Sequence, residues 1–496
     1  MITPTFAEFK RLASRGNLIA VRAEHPADLE TPVSAFLKLE LKEPYAFLLE
    51  SAEQEERVGR YSFLGFSPEA VFTAKGGSVF YRQGNRTRRV GPQDELLEIL
   101  RGALAPFRLA NPENVPAFSG GLVGFFGYEN IRLFDRVSLQ EKNGLPTEDS
   151  VFFVMREFLF FDHLRKTLSF VLLVDAGGHD LAKLKRRYHA ATRRLTALQA
   201  KLCRPLHRHR MLSAARPMHP IRANLSRPEF LRRIRRIKEY IRAGDCIQVV
   251  FSQRLGLGRI RDDFQVYRAL RTVNPSPYMF YFRYGPLRLI GSSPEVLVKK
   301  IGRTAQVRPI AGTRPRNPDT VKDLRLEENL KRSVKEMAEH LMLVDLGRND
   351  LGRVCDFKSV RVEKFARVER YSHVMHLVST VTGRLRPGKD AFDLLRSTFP
   401  AGTVTGAPKI RAMEIIDELE PERRGPYAGS LGYFSFNHDM DMCITIRTIV
   451  VMEENAYVQA GAGVVHDSRP KREYEETMNK AGALIQAVRH AAEGAF

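Results

Sequence analysis

Tryptophan is absent from the 496 residues, and cysteine is nearly so, with four. Cys203, Cys246, Cys355 and Cys443 lie far apart and form no C-x-x-C pair. That argues against a disulfide framework or a zinc module built on paired thiols, and makes reduced thiols the expectation. Long apolar runs are also missing: no stretch approaches the ~18 uninterrupted residues of a membrane-spanning helix. The first ten residues, Met1 to Lys10, lack the basic flank and apolar stretch of a secretory signal. No Gly-X-Y period or long heptad run is present, which excludes a fibrous chain. A hydrophobic content of 43% with 27% charged residues excludes a mostly disordered one. The expectation is a soluble, cytoplasmic protein of two or three domains, at roughly 150 residues each.

Acidic residues are in deficit, 57 against 79 Lys and Arg, for a net charge of +22. The deficit is local. Between Lys183 and Arg242 there are nineteen Lys and Arg and two Asp and Glu, so about +17 falls in that one stretch. Such a block could bind nucleic acid or an acidic surface. No nucleic-acid motif accompanies it, so a solvated helix face and linker is the preferred reading.

What is present reads as two segments and a connection. In residues 1–202, Tyr45–Glu50, Ser78–Arg82, Val151–Phe161 and Leu168–Val174 have strand character. Leu181–Leu202 follows as an amphipathic helix, with Leu184, Tyr188, Leu195, Leu198 and Leu202 on its apolar face. Residues 203–225 break the pattern with Pro205, Pro217 and Pro220. The third segment, 226–496, opens on Ser226-Arg227-Pro228-Glu229, a capping-box signature. Further helices are expected at Leu324–Asp345, Ala391–Ser397, Pro408–Glu418 and Lys471–Ala492. Strands are expected at Cys246–Arg254, Tyr278–Arg283, Leu431–Phe436, Met442–Val451 and Ala456–Ala460.

Several patterns carry chemistry. Glu336/Glu339 and Glu473/Glu476 are pairs at i,i+3, which puts two carboxylates on one side of a helix. Four converging carboxylates would make a hard oxygen site suited to Mg²⁺; a solvated face is the plainer alternative. In the first of these helices Leu330, Val334, Met337, Leu341 and Val344 form the apolar stripe, with Glu339 opposite. Gly461-Ala462-Gly463 after a strand can bring backbone N–H groups to a carboxylate, or simply turn the chain. Pro309–Arg314 and Gly402–Lys409 are Gly/Pro turns, and the second opens a helix whose start can receive an anion. Arg447 interrupts a β-branched run, as either a carboxylate clamp or a structural ion pair. His373 and His376 stand one helical turn apart. No Glu follows in zincin form, so a structural or substrate-contacting role is preferred to zinc.

Four segments together resemble the chorismate-utilising enzyme family, and within it the large component of its anthranilate-forming branch. They are Pro309–Arg316, Glu339–Asp350, Gly406–Lys409 and Gln459–Val464, within a match that covers nearly the whole chain and is strongest over Ser226–Ala483. The resemblance implies an α+β fold of two large antiparallel sheets packed as a sandwich with helices outside. It implies a Mg²⁺-dependent lyase reaction, in which ammonia adds to chorismate, the C4 hydroxyl leaves and pyruvate is eliminated. It places the metal carboxylates on Glu339 and Glu476, with Glu336 and Glu473 as supporting, water-mediated ligands. Substrate contacts fall on Gly312, Thr313, Tyr427, Arg447, Gly461, Ala462, Gly463 and Lys480. Glu295 matches the general acid and His376 the active-site histidine. Gln248 stands where water-adding relatives carry a basic Lys, and Ala311 where aminodeoxychorismate-forming relatives carry a nucleophilic Lys. Both point to anthranilate. Leu48-Leu49-Glu50-Ser51 and Asn274–Phe280 resemble a feedback site for L-tryptophan, formed by Ser51, Pro277, Tyr278 and Met279 with Glu50 nearby. No amidotransferase segment is read in the chain. A glutamine amidotransferase subunit is therefore the expected partner, in a heterotetramer.

Overall fold

The computed structural model describes residues 2–39, 43–51, 59–177, 180–206, 220–371 and 374–494. Among these residues, two antiparallel sheets of 13 and 12 strands dominate the fold. They pack face to face, as the α+β sandwich expectation requires. The strand Tyr45–Glu50 shows how. Phe47 points into the layer between the sheets, while Ala46 and Leu48 point out toward helices. That is the period-2 alternation of a strand covered on both faces. Phenylalanine takes volume that tryptophan does not: 17 of the 31 Phe of the chain are buried in the inner layer. Phe153 of one sheet stacks on Phe282 of the other at 4.5 Å, and Phe125 meets the same ring edge-on. Each fully buried side chain of this size contributes roughly 1.5–3 kcal/mol.

Helices cover the outer faces. Leu181–Leu202 starts where Asp180 accepts from the Ala182 and Lys183 N–H groups. It buries Leu184, Tyr188, Leu195, Leu198 and Leu202 and leaves Leu181 and the basic residues outside. The Arg227–Arg242 helix has the expected capping box between Ser226 and Glu229. The last helix, Pro470–Ala492, packs on the strand Asn455–Val464.

Both sheets draw strands from either side of residues 203–225. In the 13-stranded sheet Tyr45–Glu50 pairs with Tyr278–Tyr284; in the other, Gly121–Phe126 pairs with Ser430–Ser435. The connection therefore joins two segments that build each sheet together.

Three expectations are corrected. Val151–Phe161 is two strands, Ser150–Met155 in one sheet and Glu157–Asp162 in the other. Met442–Val451 likewise divides into Met440–Ile444 and Thr448–Met452, which lie in different sheets. Continuous β-branched and apolar sequence does not reveal that crossing. Leu324–Asp345 is two helices, Thr320–Arg332 and Val334–Gly352, separated by Ser333. The Ser333 hydroxyl accepts from the Glu336 N–H and restarts the helix, an S-x-x-E start signal in the sequence. The restart changes the buried face. Val334 is 84% exposed and Leu341 49% exposed, so only part of the expected stripe faces inward. Leu330 and Val344 of that stripe are buried, and Leu343, Gly347 and Asp350 join them, with Glu336 and Glu339 half-buried.

Candidate active site

The pocket is built where the two strands flanking Arg447 pass from one sheet to the other. Arg447 has φ of +50°, a left-handed backbone unusual for a side chain of this size. It is therefore not inside a strand. Its Nη1 donates to the Lys480 carbonyl at 2.6 Å. Lys480, on the last helix, donates from Nζ to the Gly461 carbonyl at 3.0 Å and pairs with Glu476 at 2.6 Å.

Gly461–Gly463 lies in the Asn455–Val464 strand, paired with the long strand Gln248–Arg259. The glycines admit two side chains. A Cβ on Gly461 would stand 2.7 Å from the Tyr427 hydroxyl, and one on Gly463 would stand 2.7 Å from Gln248 Nε2. Burial raises the Tyr427 hydroxyl to about 12, so it stays a donor. Gln248 is 3% exposed; its Nε2 donates to Glu339 at 3.3 Å, while its Oε1 is buried without a partner.

The opposite wall comes from Ile310–Pro315 and the strand Val374–Arg384. His376 is in that strand, not on a helix as the H-x-x-H spacing suggested; His373 lies outside the described residues. The sheet register sets His376 opposite Thr313. Its Nδ1 lies 2.8 Å from the Gly312 carbonyl and 3.1 Å from the Thr313 hydroxyl. Burial and then Arg447 nearby lower its pKa, offset in part by the Gly312 carbonyl, so neutral imidazole faces the pocket. Gly312 has φ of +64°, and a Cβ there would meet Leu330 at 2.8 Å.

Glu295 follows the Leu287–Ser293 strand and is 8% exposed. Burial pushes its carboxyl up to about 8, against smaller opposing effects of Thr403 and Lys480. At neutral pH it holds its proton. Thr403 borders the same small cavity as Glu295, Gly347 and Asp350. The sequence reading missed Thr403, although it sits in the Gly402–Lys409 turn. It also missed the ion pair of Asp350 with Lys409, at 2.9 Å, which ties two motif segments together.

The four carboxylates approach this pocket from two helices. Glu339 is raised by burial first and then by Glu336, with Glu476 adding to it. Glu473 is raised by burial, and Glu476 again adds. Glu336 is held by Arg314 at 3.1 Å and Glu476 by Lys480. Among the described residues, no three acidic, His or Cys side chains form a closed ligand cluster. The donor set is nonetheless all hard oxygen, and it gathers like charges that a divalent cation would offset.

A second cavity lies between the sheets. Ser51, Pro277, Tyr278 and Met279 line it together with Glu50 and Asp441. The Ser51 hydroxyl is buried without a partner. Glu50 is raised by burial and accepts from Tyr267 at 2.5 Å, with Arg271 at 3.2 Å. Tyr278 donates to Asp441 at 2.8 Å.

Among the described residues, the basic block borders neither cavity. A groove of about 720 Å³ lined by Lys142, Arg232, Arg233, Arg236 and Glu418 shares no residue with them. No helix among the described residues is long and apolar enough to cross a membrane.

Arg447 and Lys480 meet the glycine strand and Tyr427 stands against it, a cationic surface with little side-chain bulk that suits an anionic small molecule. Residues 44–486 match the family model described as chorismate binding enzyme. Anthranilate synthase component 1 of Thermus thermophilus is 47% identical, over 94% of this chain and 97% of that protein. The protein of the same name from Synechocystis is 46% identical over 99% of both. The crystal structure of anthranilate synthase component I from Streptococcus pneumoniae superposes with a TM-score of 0.75 at 36% identity, covering 87% of this chain and 94% of that one. The menaquinone-specific isochorismate synthase of Escherichia coli, at 20% identity and a TM-score of 0.70, shares the fold. The chain belongs to the chorismate binding enzyme family and, within it, to the anthranilate synthase component 1 group.

Proposed function

We propose that this chain converts chorismate and ammonia to anthranilate, pyruvate and water, and is inhibited by L-tryptophan. The observation that carries the reading is Glu295, a buried acid that keeps its proton at neutral pH beside Thr403 and within the field of Lys480. Such an acid can protonate the C4 hydroxyl as it leaves, a contribution of about 10²–10⁴ in rate. Ammonia adds at C2 as the C4–O bond breaks, and water departs with the Glu295 proton. Loss of the C2 proton and cleavage of the C3–O bond then release the enolpyruvyl group as pyruvate and make the ring aromatic. The neutral Gln248 does not activate water, and ammonia needs no base. Arg447 and the N–H groups of Gly461–Gly463 receive the substrate carboxylates, and Tyr427 donates a hydrogen bond beside them. His376 orients the ring through its anchored imidazole.

Mg²⁺ suits the carboxylate set. Glu339 and Glu476 would hold it, with Glu336 and Glu473 supporting through water. When bound it supplies positive charge to a substrate carboxylate. The unpartnered Ser51 hydroxyl and the buried Glu50 carboxyl support an amino-acid effector in the second cavity. Tryptophan there must prefer one global state of the chain. A separate glutamine amidotransferase subunit would deliver the ammonia in a cytoplasmic heterotetramer; the relatives' designation as component 1 supports a second component.

The test is a fluorescence assay of the purified chain with chorismate, Mg²⁺ and ammonium, with and without tryptophan. Fluorescent anthranilate is expected, and tryptophan should suppress it. A different aromatic product, or none, would sink the reading.

A further inference from the structure

Tyr427, placed on the substrate in the reading above, sits in a short loop that has no regular structure of its own. Something else must fix it. Three residues earlier, Arg424 is 3% exposed, the burial of a core leucine. Its Nε and Nη2 make a bidentate pair with Glu420 at 2.8 and 2.7 Å. Nη1 donates to the Val404 carbonyl at 2.8 Å, and Nη2 donates to the Val250 carbonyl at 2.8 Å. Val404 adjoins Thr403, and Val250 is the register partner of Gly463. The guanidinium also lies against the rings of Tyr427, at 5.5 Å, and Tyr128, at 4.7 Å. Glu420 extends the frame by accepting from the Ser252 N–H and hydroxyl, and Ser252 is opposite Gly461.

The loop's main chain is fixed from the other segment of the chain. Glu129 accepts from the Arg424 N–H at 2.7 Å and the Gly425 N–H at 3.1 Å. The Tyr128 N–H donates to the Gly425 carbonyl. A buried ion pair is a poor source of stability, because an apolar replacement of similar volume is often neutral or better. A planar guanidinium nevertheless aims several hydrogen bonds in fixed directions, which an ammonium cannot.

We propose that Arg424 is a positioning residue of this active site: it holds Tyr427, the Thr403 loop and the strand backbone opposite Gly463 in one frame. It touches no substrate itself. Glu129 is its anchor, which makes the segment before residue 203 part of the catalytic geometry. The proposal rests on the chorismate reading.

The test compares Arg424→Lys, Glu129→Gln, Tyr427→Phe and the Arg424→Lys/Tyr427→Phe double variant, using calorimetric chorismate affinity and ammonium-dependent kcat and KM. Arg424→Lys should weaken chorismate binding and raise KM at least tenfold, with Glu129→Gln changing both in the same direction by a smaller factor. The double variant should lose clearly less than the product of the two single losses, because part of the Arg424 effect acts through the Tyr427 hydroxyl. Multiplying losses, or a lowered melting temperature with affinity and KM unchanged, would overturn the proposal. Should Arg424→Lys fail to fold, the Glu129→Gln/Tyr427→Phe cycle decides by the same criterion. A wild-type chain that neither binds chorismate nor forms anthranilate refutes the functional reading, and this proposal with it.

Discussion

Glu295→Gln is the substitution that separates the acid from the space it fills. Burial moves the Glu295 carboxyl from its ordinary 4.5 to about 8. At about 1.36 kcal/mol per pH unit, that is about 5 kcal/mol between the folded and unfolded protonation equilibria. The sign follows from linkage. The folded chain binds this proton more tightly, so its contribution is complete below pH 4.5 and is lost as pH rises toward 8. At pH 7 the loss amounts to about 3 kcal/mol, and between pH 6 and pH 8 it grows by about 2 kcal/mol. Glutamine keeps the shape and carries no titration. Urea unfolding of both proteins from pH 6 to pH 8 should therefore show the variant gaining about 2 kcal/mol on the wild type. Turnover should move the other way. The variant should lose about 10²–10⁴ in kcat, and wild-type kcat/KM should fall above an apparent pKa near 8. A stability difference that is flat with pH would refute the burial argument. Wild-type kcat/KM for chorismate that rises through pH 8 at constant free-ammonia concentration would refute the acid role.

Glu476→Gln should remove Mg²⁺ binding, read by calorimetry, together with turnover; unchanged activity at limiting Mg²⁺ would remove Glu476 from the metal set. Ser51→Arg fills the second cavity and should leave ammonium-dependent turnover intact while abolishing tryptophan inhibition, read as the loss of its dose response. Gly463→Ala places a methyl 2.7 Å from Gln248 Nε2 and should raise KM for chorismate tenfold or more. An unaltered KM would show that the glycine strand does not carry the substrate.

The capping box at Ser226 was legible because its signal is local, and the helix starts where that signal places it. Ser333 is the same kind of signal, hidden by apolar residues that continue on both sides of it. Crossings between the sheets left no local trace. Only the fold shows that Arg447 bridges two sheets, or that the chain at Arg156 does the same. Arg447, Lys480, Gly461 and Tyr427 meet one another, as do His376, Gly312 and Thr313, yet nothing in their spacing required it. Arg424 and Glu129 were illegible for a related reason. Their partners lie up to 296 positions away, and an Arg in an Arg-rich chain reads as surface.

The crossing at Arg447 has a mechanical consequence. Met440–Ile444 belongs to one sheet and Thr448–Met452 to the other, with three residues between them. So short a link ties the two sheets closely at Arg447. Asp441 and Cys443, on the incoming strand, border the second cavity. One short strand therefore runs from that cavity to Arg447, and under the proposed function a ligand seated in the cavity would be felt at the Arg447 side chain.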